Sequence, residues 1–199
     1  NERTTSKCFI MSRGKCVILC APSGSGKTTL VKHLLDQNEM NLIFSISATT
    51  RKIRKGEENG KDYFYFTNEK FIEKINNEDF LEYEEVYNGI FYGTLKDSVE
   101  DLLKDHNVIF DIDVEGGIKL KTLFKEEALA IFVKPPNMNE LSKRLHSRNK
   151  DSNKSINIRL LKAKAELSKE KDFDKIIIND DLKSAKTHAY NLVREFLDN

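Results

Sequence analysis

The chain has 199 residues, enough to bury one sizeable core with small appended parts. Its 33 Lys and Arg offset 32 Asp and Glu, so no global field marks a nucleic-acid or membrane-surface binder, and any anion site must come from local placement of charge. A charged fraction of 33% beside 39% hydrophobic residues is that of a globular protein, no apolar run reaches the roughly 18 residues that span a bilayer, and no signal peptide is visible.

In chain order, the ten residues ahead of Met11 carry no pattern and are left out of the fold. CVILC (16–20) reads as a buried strand. Cys8, Cys16 and Cys20 have no metal-ligand spacing, which predicts buried free thiols for the last two and suits a reducing cytoplasm. Residues 27–36 read as a helix with Leu30, Val31, Leu34 and Leu35 on its inner face, and 41–47 as a strand. After a polar stretch (49–62), YFYFT (63–67) is strand-like. A helix follows with Asn68 as its N-cap and Phe71, Ile72 and Ile75 on one face. Residues 80–94 alternate around Asn88-Gly89, a hairpin signal. Then come helix 95–105, strand 108–113, a short helix near 116–124 and strand 128–133. Helices at 138–148 and 155–171, strand 175–179 and a closing helix from 182 to 198 complete the chain. His33, His106, His146 and His188 are scattered, and no catalytic role is expected of them.

Strands alternating with helices predict a mostly parallel sheet covered on both faces, interrupted by an inserted α+β part over 46–93. In APSGSGKTT (21–29), Gly24 and Gly26 let successive N–H groups turn inward onto phosphate oxygens at a helix N-terminus. Lys27 reaches the β- and γ-phosphates, and the Thr28 hydroxyl is placed for Mg²⁺. The usual first glycine is Ala21 here, which is tolerated only at negative φ. A Gly/Ser-rich turn before a surface helix is the plain alternative, and the strand–loop–helix context argues against it. Asp111 and Asp113, two apart at the end of VIFDID, share a strand face where ligands of parallel sheets bind, and either could instead cap the next helix.

Arginine is scarce, 8 against 25 Lys, yet five of the eight fall in two clusters: Arg51 with Arg54, and Arg144, Arg148 and Arg159. Its planar fork suits phosphate better than lysine does, so two clusters point to two phosphate-bearing ligands, or to one phosphoryl group passed between them.

APSGSGKTT, FSISATTRKIRKGEENGKDYFYF, FLEY, FYGT, FDIDVEGG, KRLHSR and IIIND follow in the order found in guanylate kinases, and the chain resembles that family from about 15 to 198. The resemblance implies an α/β fold: a P-loop parallel-sheet core (15–45, 94–137 and 169–199) with helices on both faces, an inserted α+β GMP-binding subdomain (46–93) and a small helical lid (138–168). It implies transfer of the γ-phosphoryl of ATP to GMP, with dGMP a weaker acceptor and Mg²⁺ as cofactor. Ser23, Gly24, Ser25, Gly26, Lys27, Thr28 and Thr29 match the ATP-phosphate positions, with Arg144 over the ATP and Asn179 either near the adenine or capping the last helix. Arg51, Arg54, Tyr63 and Tyr92 match the GMP-phosphate positions; Glu82 matches the guanine reader, with Ser47 and Thr94 near the base and Asp113 on the GMP side. Thr28 and Asp111 match the Mg²⁺ positions, directly or through water. Lys27, Arg51, Arg148 and Arg159 match the groups that steer the transfer.

After Arg148 the chain departs from the family with Asn149-Lys150-Asp151-Ser152. Two rivals share the architecture: a non-catalytic guanylate-kinase-like module that binds phosphoproteins, and a kinase of a phosphorylated sugar. The first expects a degraded P-loop or lid, the second a missing Glu82. No nucleic-acid or membrane partner is expected.

Overall fold

The computed structural model describes residues 13–87, 89–147 and 153–199. Along the chain run β1 (Cys16–Cys20), α1 (Lys27–Leu35), β2 (Leu42–Phe44), β3 (Ala48–Thr49), β4 (Phe64–Tyr65), α2 (Asn68–Asn76), β5 (Phe80–Tyr87) and β6 (Ile90–Leu95). They continue through α3 (Lys96–Leu102), β7 (Asn107–Ile112), α4 (Val114–Phe124), β8 (Ala128–Lys134), α5 (Met138–Ser147), α6 (Asn153–Leu167), β9 (Lys175–Ile178) and α7 (Leu182–Asp198).

Five strands form a parallel sheet in the order β2-β7-β1-β8-β9. Its central strand explains why CVILC is apolar throughout. Val17 and Leu19 pack with Leu30, Val31 and Leu34 of α1 and with Ala185, Ala189 and Val193 of α7. Cys16, Ile18 and Cys20 point the other way, against Val99 of α3 and Val114 and Leu120 of α4. A strand covered on both faces cannot alternate. Because β1 lies between β7 and β8, the chain leaves its carboxyl end at the place where connections diverge to either side, the usual crevice for ligands in such sheets.

A second sheet, β4-β3-β6-β5, is antiparallel except for the β3–β4 pair. Stacked rings of Phe71, Phe80 and Phe91 fasten α2 to it, with centroids 4.4 and 5.4 Å from Phe71. Helices α5 and α6 share a small core of Leu141, Leu145, Ile156 and Ala163.

Several local expectations are corrected. Thr67, not Asn68, caps α2, its hydroxyl accepting from the Lys70 N–H at 3.3 Å. Ile72 is 46% exposed, because one residue past the buried Phe71 the helix has turned about 100° away. The strand expected over 41–47 contracts to β2, and two-residue β3, from Ala48, ends one residue into the stretch expected to be polar. Helix α4 starts at Val114 because Asp113 caps it. Helix α6 spans 153–167 rather than 155–171, the remainder forming a short 3₁₀ turn over 170–172. Of the expected hairpin turn, Asn88 lies outside the described residues. Cys16 and Cys20 are buried free thiols, as expected, and burial pushes Cys16 up to about 12. Among the described residues no helix is long and apolar enough to cross a membrane.

Candidate functional site

The loop from Ala21 to Gly26 carries the chain from β1 into α1. Gly26 ends it at φ +90°, and a Cβ there would run into the amide nitrogen of Asn179. That amide, buried at the end of β9, donates to the Ser25 carbonyl at 2.7 Å, while the Asn179 carbonyl accepts from Arg144 Nη1 at 3.0 Å. Asn179 thus braces the loop from behind. It does not cap the last helix, a task taken by Asp181, which accepts from the Ser184 N–H at 2.8 Å. Positive φ at non-glycine residues is confined, among the described residues, to Asn41, Glu78 and Lys125, so Ala21 meets the condition set for it.

At the end of β7, Asp111 faces the loop. Its Oδ1 pairs with Lys27 Nζ at 2.6 Å and its Oδ2 accepts from Thr28 Oγ1 at 2.9 Å, while Lys27 also donates to the Ile112 carbonyl. A hydroxyl and a carboxylate this close are the oxygen donors that suit Mg²⁺, which takes only one or two protein ligands when phosphates supply others. Asp113 is both a cap and a site residue: Oδ1 accepts from the Gly116 N–H at 2.8 Å, and the side chain still lines the cavity.

Across that cavity stands the second sheet. Glu82 is 8% exposed and accepts from Thr94 Oγ1 at 2.6 Å, and burial raises its carboxyl above the ordinary range. Gly116 lets the first turn of α4 close on it, since a Cβ there would lie 2.9 Å from Glu82 Oε2. The Tyr63 and Tyr92 rings meet edge to face with centroids 5.9 Å apart, and the Arg51 guanidinium lies over Tyr63 at 5.2 Å.

The loop 21–29, Ser47, Tyr63, Glu82, Tyr92, Asp111, Asp113 and Arg159 line one cavity of about 470 Å³. Arg159 reaches the loop itself, with Nη1 3.3 Å from Ser23 Oγ. Thr94 sits behind Glu82, and Arg144 and Asn179 behind the phosphate loop. Arg51 stands beyond Tyr63, outside the lining. The Arg54 side chain is exposed, while its backbone is engaged twice by Glu57: its N–H donates to Glu57 Oε2 at 2.7 Å and its carbonyl accepts from the Glu57 N–H at 3.1 Å. Arg148 lies outside the described residues.

Sequence reasoning passed over four acidic or basic side chains. Glu57 grips Arg51 (Nη1–Oε2 3.0 Å, Nη2–Oε1 2.9 Å) and also accepts from Tyr65 Oη at 2.8 Å. The Arg51 bond, then the Arg54 N–H and Tyr65, hold Glu57 down at about 2 against some desolvation. Glu84, Lys162 and Glu166 line the cavity. Their signals were positional: Glu84 follows Glu82 by two on a strand, and Lys162 and Glu166 follow Arg159 by three and seven on a helix. Burial raises Glu166, with Lys162 opposing it.

A parallel sheet whose central strand feeds a phosphate-cradling loop, faced by a small second sheet presenting a buried carboxylate, defines a P-loop phosphotransferase of the nucleotide-kinase kind. The guanylate kinase family profile matches residues 13–197. A guanylate kinase of Bacteroides fragilis is 50% identical over 92% of this chain and 90% of its own, and one of Porphyromonas gingivalis 44% identical over 92% and 98%. In solved structures, the guanylate kinase of Anaplasma phagocytophilum superposes with a TM-score of 0.72 at 30% identity, covering 94% of this chain and 87% of that one. A shikimate kinase of Bacteroides thetaiotaomicron, at 13% identity and a TM-score of 0.53, shares the fold alone. The chain belongs to the guanylate kinase family.

Proposed function

We propose that this protein transfers the γ-phosphoryl group of ATP to GMP, giving ADP and GDP, with residues 46–93 receiving GMP and 138–168 closing over ATP. One observation carries this reading: a buried carboxylate, Glu82, faces the same cavity as Lys27 and the phosphate loop. A carboxylate accepts from both N1–H and the 2-amino group of guanine, a donor pair that adenine lacks, and Thr94 holds Glu82 in place.

The acceptor is already a phosphate oxygen, so the protein needs no strong base, only alignment and neutralisation of charge. Loop amides and Lys27 take the β- and γ-phosphates, which requires Lys27 to leave Asp111. Thr28 and Asp111 would hold Mg²⁺, which when bound neutralises phosphate oxygens. Arg159 approaches the transferring group from α6. Arg51, Arg54, Tyr63 and Tyr92 hold the GMP phosphate in line, and Arg54 swings in from the surface to do so. Closure of both parts excludes water and so suppresses hydrolysis. Intact Lys27, Thr28 and Arg159 argue against a phosphoprotein-binding module, and Glu82 against a sugar-phosphate kinase.

The test is ADP release from Mg·ATP in a coupled assay with GMP, AMP, CMP and UMP, run beside Glu82→Gln. Turnover with GMP alone, falling about a hundredfold in the variant, is expected from the loss of a charged hydrogen-bond acceptor. Equal turnover with AMP, or none with any monophosphate, overturns the reading.

A further inference from the structure

The cavity holds more acid than this reaction uses. Glu84 stands on the cavity side of β5, two residues past Glu82, and the β5–β6 register pairs Glu82 with Thr94 and Glu84 with Tyr92. Cross-strand partners share a face, and two residues along a strand span about 7 Å. The strand pair is therefore a ruler. Its Glu82·Thr94 rung lies where the reading above seats the base, and Tyr92 on the next rung of that face lies where it seats the phosphate. What joins base to phosphate in a nucleotide is the ribose, and Glu84 is the side chain on that same face at the second rung.

Glu84 also has an unmet need there. Its Oε2 is fully buried without a hydrogen-bond donor among the described residues. Its neighbour is the Asp113 carboxylate, and two carboxyl groups side by side bring no donor for each other unless they share a proton. Contact with Asp113, then burial, pushes Glu84 up to about 7; burial works to raise Asp113 as well, but the bonds from Glu84 and the Gly116 N–H outweigh it and hold Asp113 low. Lys162 of α6 adds attractive charge to both. Glu84 thus lines the cavity with acceptor capacity that no protein donor among the described residues meets. Ribose hydroxyls are donors, and a carboxylate is a well-established partner for them.

We propose that Glu84 reads the ribose 2′-hydroxyl of the acceptor and sets a preference for GMP over dGMP. The proposal rests on the GMP reading, and its test separates the two. Turnover of GMP and dGMP is measured for the native chain, Glu84→Ala and Glu84→Gln, and the ratio of kcat/KM values is compared. One net hydrogen bond to an acceptor otherwise left unpaired gives a native preference of about tenfold. Glu84→Ala brings the ratio to within about twofold of one, and Glu84→Gln, which keeps a neutral acceptor, leaves it between. Equal native use of the two substrates overturns the proposal, as does a native ratio in the variants or an equal loss on both substrates, which is the mark of a structural role. If Glu84→Ala does not fold, Glu84→Gln decides alone: an intermediate ratio supports the proposal and a native ratio overturns it. Failure of the native chain to phosphorylate either substrate would instead overturn the kinase reading.

Discussion

The Arg51 guanidinium is held as a fork by the Glu57 carboxylate, Nη1 to Oε2 at 3.0 Å and Nη2 to Oε1 at 2.9 Å, and lies over the rings of Tyr63 and Tyr65. Two parallel bonds fix the plane of the group, and so the direction of its remaining donors. Glu57→Gln replaces one acceptor of that fork by a donor. The KM for GMP should rise about tenfold, with kcat changed by less than about threefold, because a binding orientation is lost and no reacting group is removed. Steady-state kinetics with GMP varied checks this, and an unchanged KM would mean that Arg51 is oriented without Glu57.

The same pair has a pH signature. Glu57 has an ordinary value of 4.5 and is held at about 2 in the folded protein, first by Arg51. Between those values the unfolded chain takes up a proton that the folded chain does not, so stability falls as pH falls. The contribution is fully present above pH 4.5 and is lost as pH drops through about 2. In urea titrations, the gap in midpoint between the native chain and Glu57→Gln should be widest near neutrality and narrow by about pH 3. A gap that stays constant over that range would show that the pair does not titrate as described.

Much of the core was legible because it obeys simple periods. Residues 16–20 had to be apolar throughout once helices covered both faces, and Leu30, Val31 and Leu34 follow helical spacing. Asp111 beside Lys27 and Thr28 follows from strand alternation and the loop motif together. What escaped was set by local competition or tertiary register. Thr67 and Asn68 are both able caps, and only the backbone decides between them. A two-residue strand such as β3 has no period to detect. Glu84 could be found from its spacing to Glu82, but its place beside Tyr92 and Asp113 exists only once β5, β6 and α4 are assembled. Glu57 lay within a polar stretch, and nothing in spacing says that it binds Arg51.

Gly26 is expected to tolerate no side chain. At φ +90° an alanine costs roughly 1–2 kcal/mol of backbone strain, and its Cβ displaces the Asn179 amide from the Ser25 carbonyl. Gly26→Ala should lower Tm by about 5 °C and raise the KM for ATP more than tenfold. Asn179→Ala alone also destabilises, by loss of a buried hydrogen bond. The double variant should be more stable than the sum of the two losses, because removing the amide relieves the clash. Strict additivity in thermal melts would count against this account of the loop.

Asp113 carries two tasks that substitution can separate. As N-cap of α4 it needs only an oxygen that accepts from the Gly116 N–H, and as neighbour of Glu84 it needs a charge. Asp113→Asn keeps the first and removes the second, and Asp113→Ala removes both. Loss of the cap costs about 1 kcal/mol, so the alanine variant should unfold at lower urea while the asparagine variant stays close to the native midpoint. Both should lose GMP turnover by a similar factor, since neither presents a carboxylate to the cavity. If Asp113→Asn retains full kcat/KM for GMP while Asp113→Ala loses both stability and activity, Asp113 acts as a helix cap alone, and its place on the GMP side of the cavity is without chemical effect.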